Sequence, residues 1–118
     1  MGSLPYTFRS ADGIDWPKVA HHCRYRVKNL AQLSRMSAHE LRRYCVRQFG
    51  CTPKQWLMRW RLRQCELLIA SRRTASEISR LLFYTDAAHF CRDFKKHRGL
   101  RAREWRERRR LPQATALR

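Results

Sequence analysis

The stretch "SAHELRRYCVRQFG" at 37–50 returns in other letters as "DAAHFCRDFKKHRG" at 86–99. Both open on a side chain able to cap a helix, and both close on Gly. Leu41, Cys45 and Phe49 of the first answer to Phe90, Phe94 and Arg98 of the second; Arg43 and Arg47 answer to Arg92 and Lys96. A chain that writes one short cationic helix twice is held to a fold with two similar helical units.

A helical wheel, 100° per residue, sorts each copy into two faces. In the first, Leu41, Tyr44, Cys45, Gln48 and Phe49 fall on one side, and His39, Arg43 and Val46 on the other, flanked by Arg42 and Arg47. In the second, Phe90 and Phe94 face inward. Ala88, Arg92 and Lys95 face outward, with Cys91 on one flank and His89 and Lys96 on the other.

Each copy follows a short apolar segment and a tight turn, "LAQLSRM" before the first and "ISRLLFYT" before the second. Short helix, turn and capped second helix make a helix-turn-helix. Gly and Pro are scarce, four of each, and three capping boxes mark helix starts: Ser37 with Glu40, Thr52 with Gln55, Thr74 with Glu77. Pro53 follows Thr52 at a first helical position, where its missing N–H costs nothing.

The expected fold is therefore all-α: two helix-turn-helix subdomains joined by a long linker helix, about seven helices in all. A loose leader spans 1–14 and the folded domain 15–110, followed by a frayed tail at 111–118. Within the domain, the first unit covers 15–50, the linker helix 53–71 and the second unit 74–110. The helices are expected at about 15–25, 27–34, 37–50, 53–71, 75–82, 87–97 and 102–110. Trp56, Leu57, Trp60, Cys65, Leu68 and Ile69 are placed largely on the linker's buried side.

Twenty-seven Lys and Arg oppose nine Asp and Glu, a net charge of +18. A field of that sign attracts polyanions. No run of about 18 apolar residues is present, which argues against a membrane span, and "MGSLPYTFRSADG" has no signal-peptide core. A cytoplasmic, nucleoid-associated protein is expected. The five cysteines form no CxxC pair and mostly sit in apolar helical patterns, where a reduced thiol acts as a small hydrophobe. Cys23 beside His21 and His22 lacks the second ligand pair of a zinc finger, and neither metal nor cofactor is expected.

The outward faces carry the chemistry of major-groove reading. Arg meets guanine O6 and N7 with two hydrogen bonds, and Ala meets a thymine methyl. Against this stands the plain alternative that basic surface helices show Arg and Lys to water. Two copies in register, each behind a short helix and turn, weigh against it.

Residues from about 17 to 106 resemble the DNA-binding domain of AraC/XylS-type transcription regulators. "LAQLSRMSAHELRRYCVRQFG" resembles that family's first helix-turn-helix, and "CTPKQWLMRWRLRQCELLIAS" its linker helix, with the Arg-Leu pair at Arg61 and Leu62. "FYTDAAHFCRDFKKHRGL" is similar to the family signature, followed by an aromatic and an Arg at Trp105 and Arg106. The resemblance implies two recognition helices entering successive major grooves on one face of double-stranded DNA. Carried over by position, its base-reading places are His39, Arg42 and Arg43, then Ala87, Ala88, His89, Cys91 and Arg92. Arg47 and Lys96, further along their helices, are expected at phosphates.

Three departures stand out. Both turns often hold Gly where this chain has Arg35 and Phe83; if these hold positive φ, each is strained by roughly 1 kcal/mol. The Ser-Pro that usually starts the last helix is replaced by Arg101 and Ala102, which weakens that start. Only some 16 residues precede the family-like stretch, too few for a sensing domain, so no small-molecule inducer domain is expected in this chain. A monomer on DNA is expected, with RNA polymerase a possible partner of the basic runs.

The alternative is an RNA-binding or ribosome-associated basic protein. Sequence-specific RNA binders offer exposed aromatics, whereas Trp56, Phe90 and Phe94 fall at core spacing. An enzyme is not expected: there is no phosphate-binding Gly loop, metal cluster or carboxylate pair. His89 and Cys91, two apart on a helix, do not face each other.

Overall fold

Reciprocal side-chain caps start the central helices. Ser37 Oγ accepts from the Glu40 N–H at 3.1 Å while Glu40 accepts from the Ser37 N–H at 2.9 Å. Thr52 and Gln55 do the same at 3.2 and 3.0 Å, and Thr74 and Glu77 at 3.1 and 2.9 Å. Each box satisfies two N–H groups that a helix start would otherwise leave to solvent.

The computed structural model describes residues 15–110, the side chain of Arg110 excepted. It contains α1 (Trp16–His22), α2 (Val27–Ser34), α3 (Ala38–Phe49), α4 (Pro53–Ala70), α5 (Ala75–Leu81), α6 (Ala87–Arg98) and α7 (Ala102–Arg110). Among the described residues there is no strand, and no helix is long and apolar enough to cross a membrane. The expected leader and tail lie outside the described residues.

The chain divides within α4, one compact unit ending at Arg61 and the other beginning at Leu62. In the first, Val19, Ala20, Leu30, Leu41, Cys45 and Leu57 are buried. Trp16 stands edge-on to Phe49 and Trp56, both at 5.5 Å, and Phe49 stacks on Trp56 at 5.0 Å. In the second, Leu62, Cys65, Ile69, Ile78, Leu82, Phe90 and Phe94 are buried, and Trp105 of α7 stands edge-on to Phe94 at 6.1 Å. Each large side chain so removed from water contributes about 1.5–3 kcal/mol.

Several local expectations need correction. The first helix ends at His22 rather than near residue 25, because Arg24 and Tyr25 turn left-handed at φ 55° and 57°. On α4, Leu62 is buried while Trp60 and Leu68 are only half-buried. Gln48, expected inward, is exposed; in the last turn of α3 it is Phe49 that packs, against Trp16 and Trp56. The start of α7 keeps half a capping box, since Glu104 accepts from the Arg101 N–H at 3.0 Å. That bond offsets part of what the absent Ser-Pro would supply.

Candidate nucleic-acid interface

In each unit a short helix, a left-handed turn and a capped 12-residue helix follow one another. Arg35 and Phe83 hold φ of 58° and 62°, so the strain foreseen for non-glycine residues in these turns is present. Gly50 and Gly99 end α3 and α6 in the same conformation at φ 71° and 77°, where no Cβ is strained.

On α3 the core anchors are Leu41 and Cys45, both fully buried. Burial pushes the Cys45 thiol up to about 11, so it stays neutral in the core. With that face fixed, His39, Arg42, Arg43, Val46 and Arg47 are all exposed. The Ser37 backbone N–H holds the Glu40 carboxyl below its ordinary range, so the cap carries its negative charge at neutral pH. Sequence reasoning pointed Val46 outward without giving it a role; at 49% exposure it is an apolar group set among cations.

The orientation of α6 is fixed by Phe90, Phe94 and a polar tether. The Tyr84 hydroxyl, in the turn before α6, donates to Asp93 Oδ2 at 2.7 Å, and Asp93 Oδ1 lies 3.3 Å from His97 Nδ1. Burial pushes the Tyr84 hydroxyl well above its usual range, so it remains a donor. Arg98 at the end of α6 pairs with Glu66 of α4 at 2.7 Å. Arg106 donates to the Ile69 carbonyl at 3.2 Å, tying α7 to α4.

Ala88, Cys91, Arg92, Lys95 and Lys96 are exposed on the outer face of α6, while Ala87 is half-buried. His89 also makes contacts within its own unit. Its Nδ1 accepts from the Thr85 N–H at 3.3 Å and its ring stands edge-on to Tyr84 at 5.0 Å. These two contacts hold the half-buried ring against the turn before α6. Sequence alone gave no sign of this, because a histidine one turn into a helix is not a standard cap.

Among the described residues, no carboxylate forms an ion pair with Arg42, Arg43, Arg47, Arg92, Lys95 or Lys96. On the outer face of each 12-residue helix these cations stand outside any described ion pair, with the Glu40 carboxylate near enough to Arg43 to feel its charge. Aromatic stacking platforms are not on that face: Phe90 and Phe94 are fully buried and Trp56 nearly so. Cys23, once weighed as a zinc ligand, is core, its thiol pushed up to about 11 by burial, and His21 engages the Tyr25 hydroxyl at 3.2 Å. No group of three metal-ligating side chains gathers among the described residues.

A capped cationic helix behind a short helix and turn, in duplicate, defines a helix-turn-helix nucleic-acid-binding protein. A protein-family model described as a helix-turn-helix domain matches residues 30–108, from α2 into α7. The chain belongs to the AraC/XylS-type helix-turn-helix family and is a DNA-binding transcription regulator of that kind. No curated protein and no solved structure matches it.

Proposed function

We propose that the protein reads double-stranded DNA by sequence, α3 and α6 entering successive major grooves of one site, with one chain per site. The observation that carries this reading is the pair of equally long capped helices whose outward cations lack any described carboxylate partner. Arg42, Arg43 and Arg92 are the guanine readers, since each guanidinium offers the two parallel donors that O6 and N7 accept. Ala87 and Ala88 meet thymine methyls, His39 stands at the edge of the α3 footprint, and Cys91 adds a weak contact. Arg47 and Lys96 take phosphates. His89, whose ring also bonds the Thr85 N–H, is a further base contact at the start of α6.

Two half-sites about one helical turn apart, roughly 10 bp, follow from two readers in one chain. The binding domain is 15–110, with the two helix-turn-helix units at 15–50 and 74–110 around the linker helix. The remaining basic surface, Arg72 with Arg73 and the run at 101–110, serves phosphates or RNA polymerase. The place of action is the cytoplasmic nucleoid. Selection of bound sites from random duplexes tests the reading, with structured RNA as competitor. A recovered motif with two unlike half-sites supports it, whereas recovery without any motif, or equal displacement by RNA, rejects it.

A further inference from the structure

The two units share one plan, and their comparison exposes a gap. Arg24 and Arg72 are both left-handed, at φ 55° and 64°. Arg26 and Thr74 are both N-caps, and Arg35 and Phe83 are both left-handed in the turns. The three pairs stand at one constant offset in the sequence. On that register Tyr25 of the first unit answers to Arg73 of the second, and His21 answers to Ile69.

Tyr25 is buried at 9% exposure. Its ring stands edge-on to His21 at 5.8 Å, with the Arg61 guanidinium 5.6 Å from its centre. Arg73 does the opposite, turning outward half-exposed to meet Glu77 at 3.9 Å. Where the second unit lacks a ring, it has a cleft of about 460 Å3 between the end of α4 and helices α5, α6 and α7. Ile69, Ile78, Phe90 and Ala102 contribute its apolar walls. Arg73, Arg92, Lys95, Arg101, Arg103 and Arg106 surround it, and no carboxylate is among its lining residues.

We propose that this cleft binds an acidic segment of a partner protein through one aromatic anchor. The ring takes the place that Tyr25 fills in the first unit, and flanking carboxylates face the surrounding cations. The volume lies in the range of pockets that enclose a bound group, and far exceeds what a lone phosphate fills. An aromatic suits it better than an aliphatic chain, because guanidinium groups stack on ring faces. Acidic flanks complement the six cations, of which only Arg73 meets a described carboxylate, and basic flanks are repelled. Arg92 and Lys95 belong to α6, so, resting on the DNA reading proposed above, the segment and the duplex exclude one another.

The test uses the whole chain and two fluorescent peptides at matched ionic strength. One carries a tyrosine between two pairs of glutamates, and the other has alanine in place of the tyrosine. The tyrosine peptide is expected to bind about tenfold more tightly. Amide signals of Ala75, Ile78, Cys91 and Ala102 should shift with it. Arg73→Tyr, which restores the first unit's ring, and Ala102→Trp, which fills the cleft from α7, should each shrink that preference to about twofold or less. Equal binding of the two peptides by the unaltered chain, or an unchanged preference in both variants, overturns the proposal. Displacement of bound duplex by the tyrosine peptide supports the exclusion. Cleft binding without displacement leaves the peptide site standing and counts against α6 as a DNA reader.

Discussion

Arg35 and Phe83 hold nearly the same left-handed backbone, at φ 58° and 62°, yet glycine should affect them oppositely. Removing Cβ relieves roughly 1 kcal/mol of crowding against the carbonyl, partly offset by glycine's greater freedom when unfolded. Arg35 is exposed, so Arg35→Gly should raise stability by up to about 1 kcal/mol in urea unfolding. Phe83 is half-buried, so Phe83→Gly also loses ring burial and should destabilise by about 1–2 kcal/mol. Stabilisation by both substitutions would show that the ring contributes nothing there. On the outer face of α3, Arg43→Ala should cost about 1–3 kcal/mol of DNA affinity and relax one base position. Arg47→Ala should weaken all sequences alike and make the log–log salt slope shallower by about one unit. Binding measured across single-base variants separates these roles, and the same profile for both arginines would erase the distinction. The strained turns were legible because the resemblance marks them as glycine positions. The left-handed Arg24, Tyr25 and Arg72 were not, since nothing in their residue types announces positive φ. The bond between the Thr85 N–H and His89 was not legible, because it depends on a turn geometry that periodicity does not encode.

Helix starts were the most legible elements, because a capping box is a local chemical unit needing no tertiary context. Ser37, Thr52 and Thr74 each make the bond their spacing implied. Inner faces were legible for most positions. Leu41, Cys45, Phe90 and Phe94 are buried as the wheel placed them, but a wheel cannot show which neighbour of an inward stripe the partners cover, and in the last turn of α3 they meet Phe49 and leave Gln48 exposed. On α4 the residues named for the buried side omitted Leu62, in a helix that belongs to two units in turn. The boxes also set a pH dependence. Backbone N–H groups of Ser37 and Thr74 lower the Glu40 and Glu77 pKa values. A carboxyl that binds protons less readily folded than unfolded stabilises the fold above the ordinary value near about 4.3. That contribution fades as the pH falls through the lowered folded value. Glu40→Gln and Glu77→Gln should therefore lower the melting temperature at pH 7 and have little effect near about pH 3. An equal deficit at both pH values would show that the carboxylate charge is not what the cap uses. Ser37→Ala and Thr74→Ala, which remove the hydroxyl acceptors, should each cost about 1 kcal/mol at neutral pH.

Across the whole molecule, charge and repetition set affinity and specificity separately. A net charge of +18 supplies attraction to any duplex, and on the proposed reading the outer faces of α3 and α6 supply the choice among sequences. If about 6–10 phosphates are neutralised, affinity should fall roughly 10³–10⁵-fold between 50 and 200 mM salt. A log–log slope shallower than about −3 would count against so extended a footprint. Specificity should be divided unevenly between the units. α3 presents two adjacent arginines, Arg42 and Arg43, free of described carboxylate partners. α6 presents Arg92 among Ala88 and Cys91, which offer a base edge little hydrogen bonding, and its His89 ring also bonds the Thr85 N–H. Each lost bidentate pair costs about 1–3 kcal/mol, so base changes beneath α3 should be felt more steeply than those beneath α6. The site should also be asymmetric, because the two helices offer different side chains to otherwise equivalent grooves. Affinity for every single-base variant of a selected site, measured at two salt concentrations, reads both effects at once. Salt should shift all variants together, while the spread among them persists. If the steepest losses lie beneath residues 87–96 instead, α6 is the principal reader. A palindromic footprint holding two chains would replace the one-chain arrangement with a dimer.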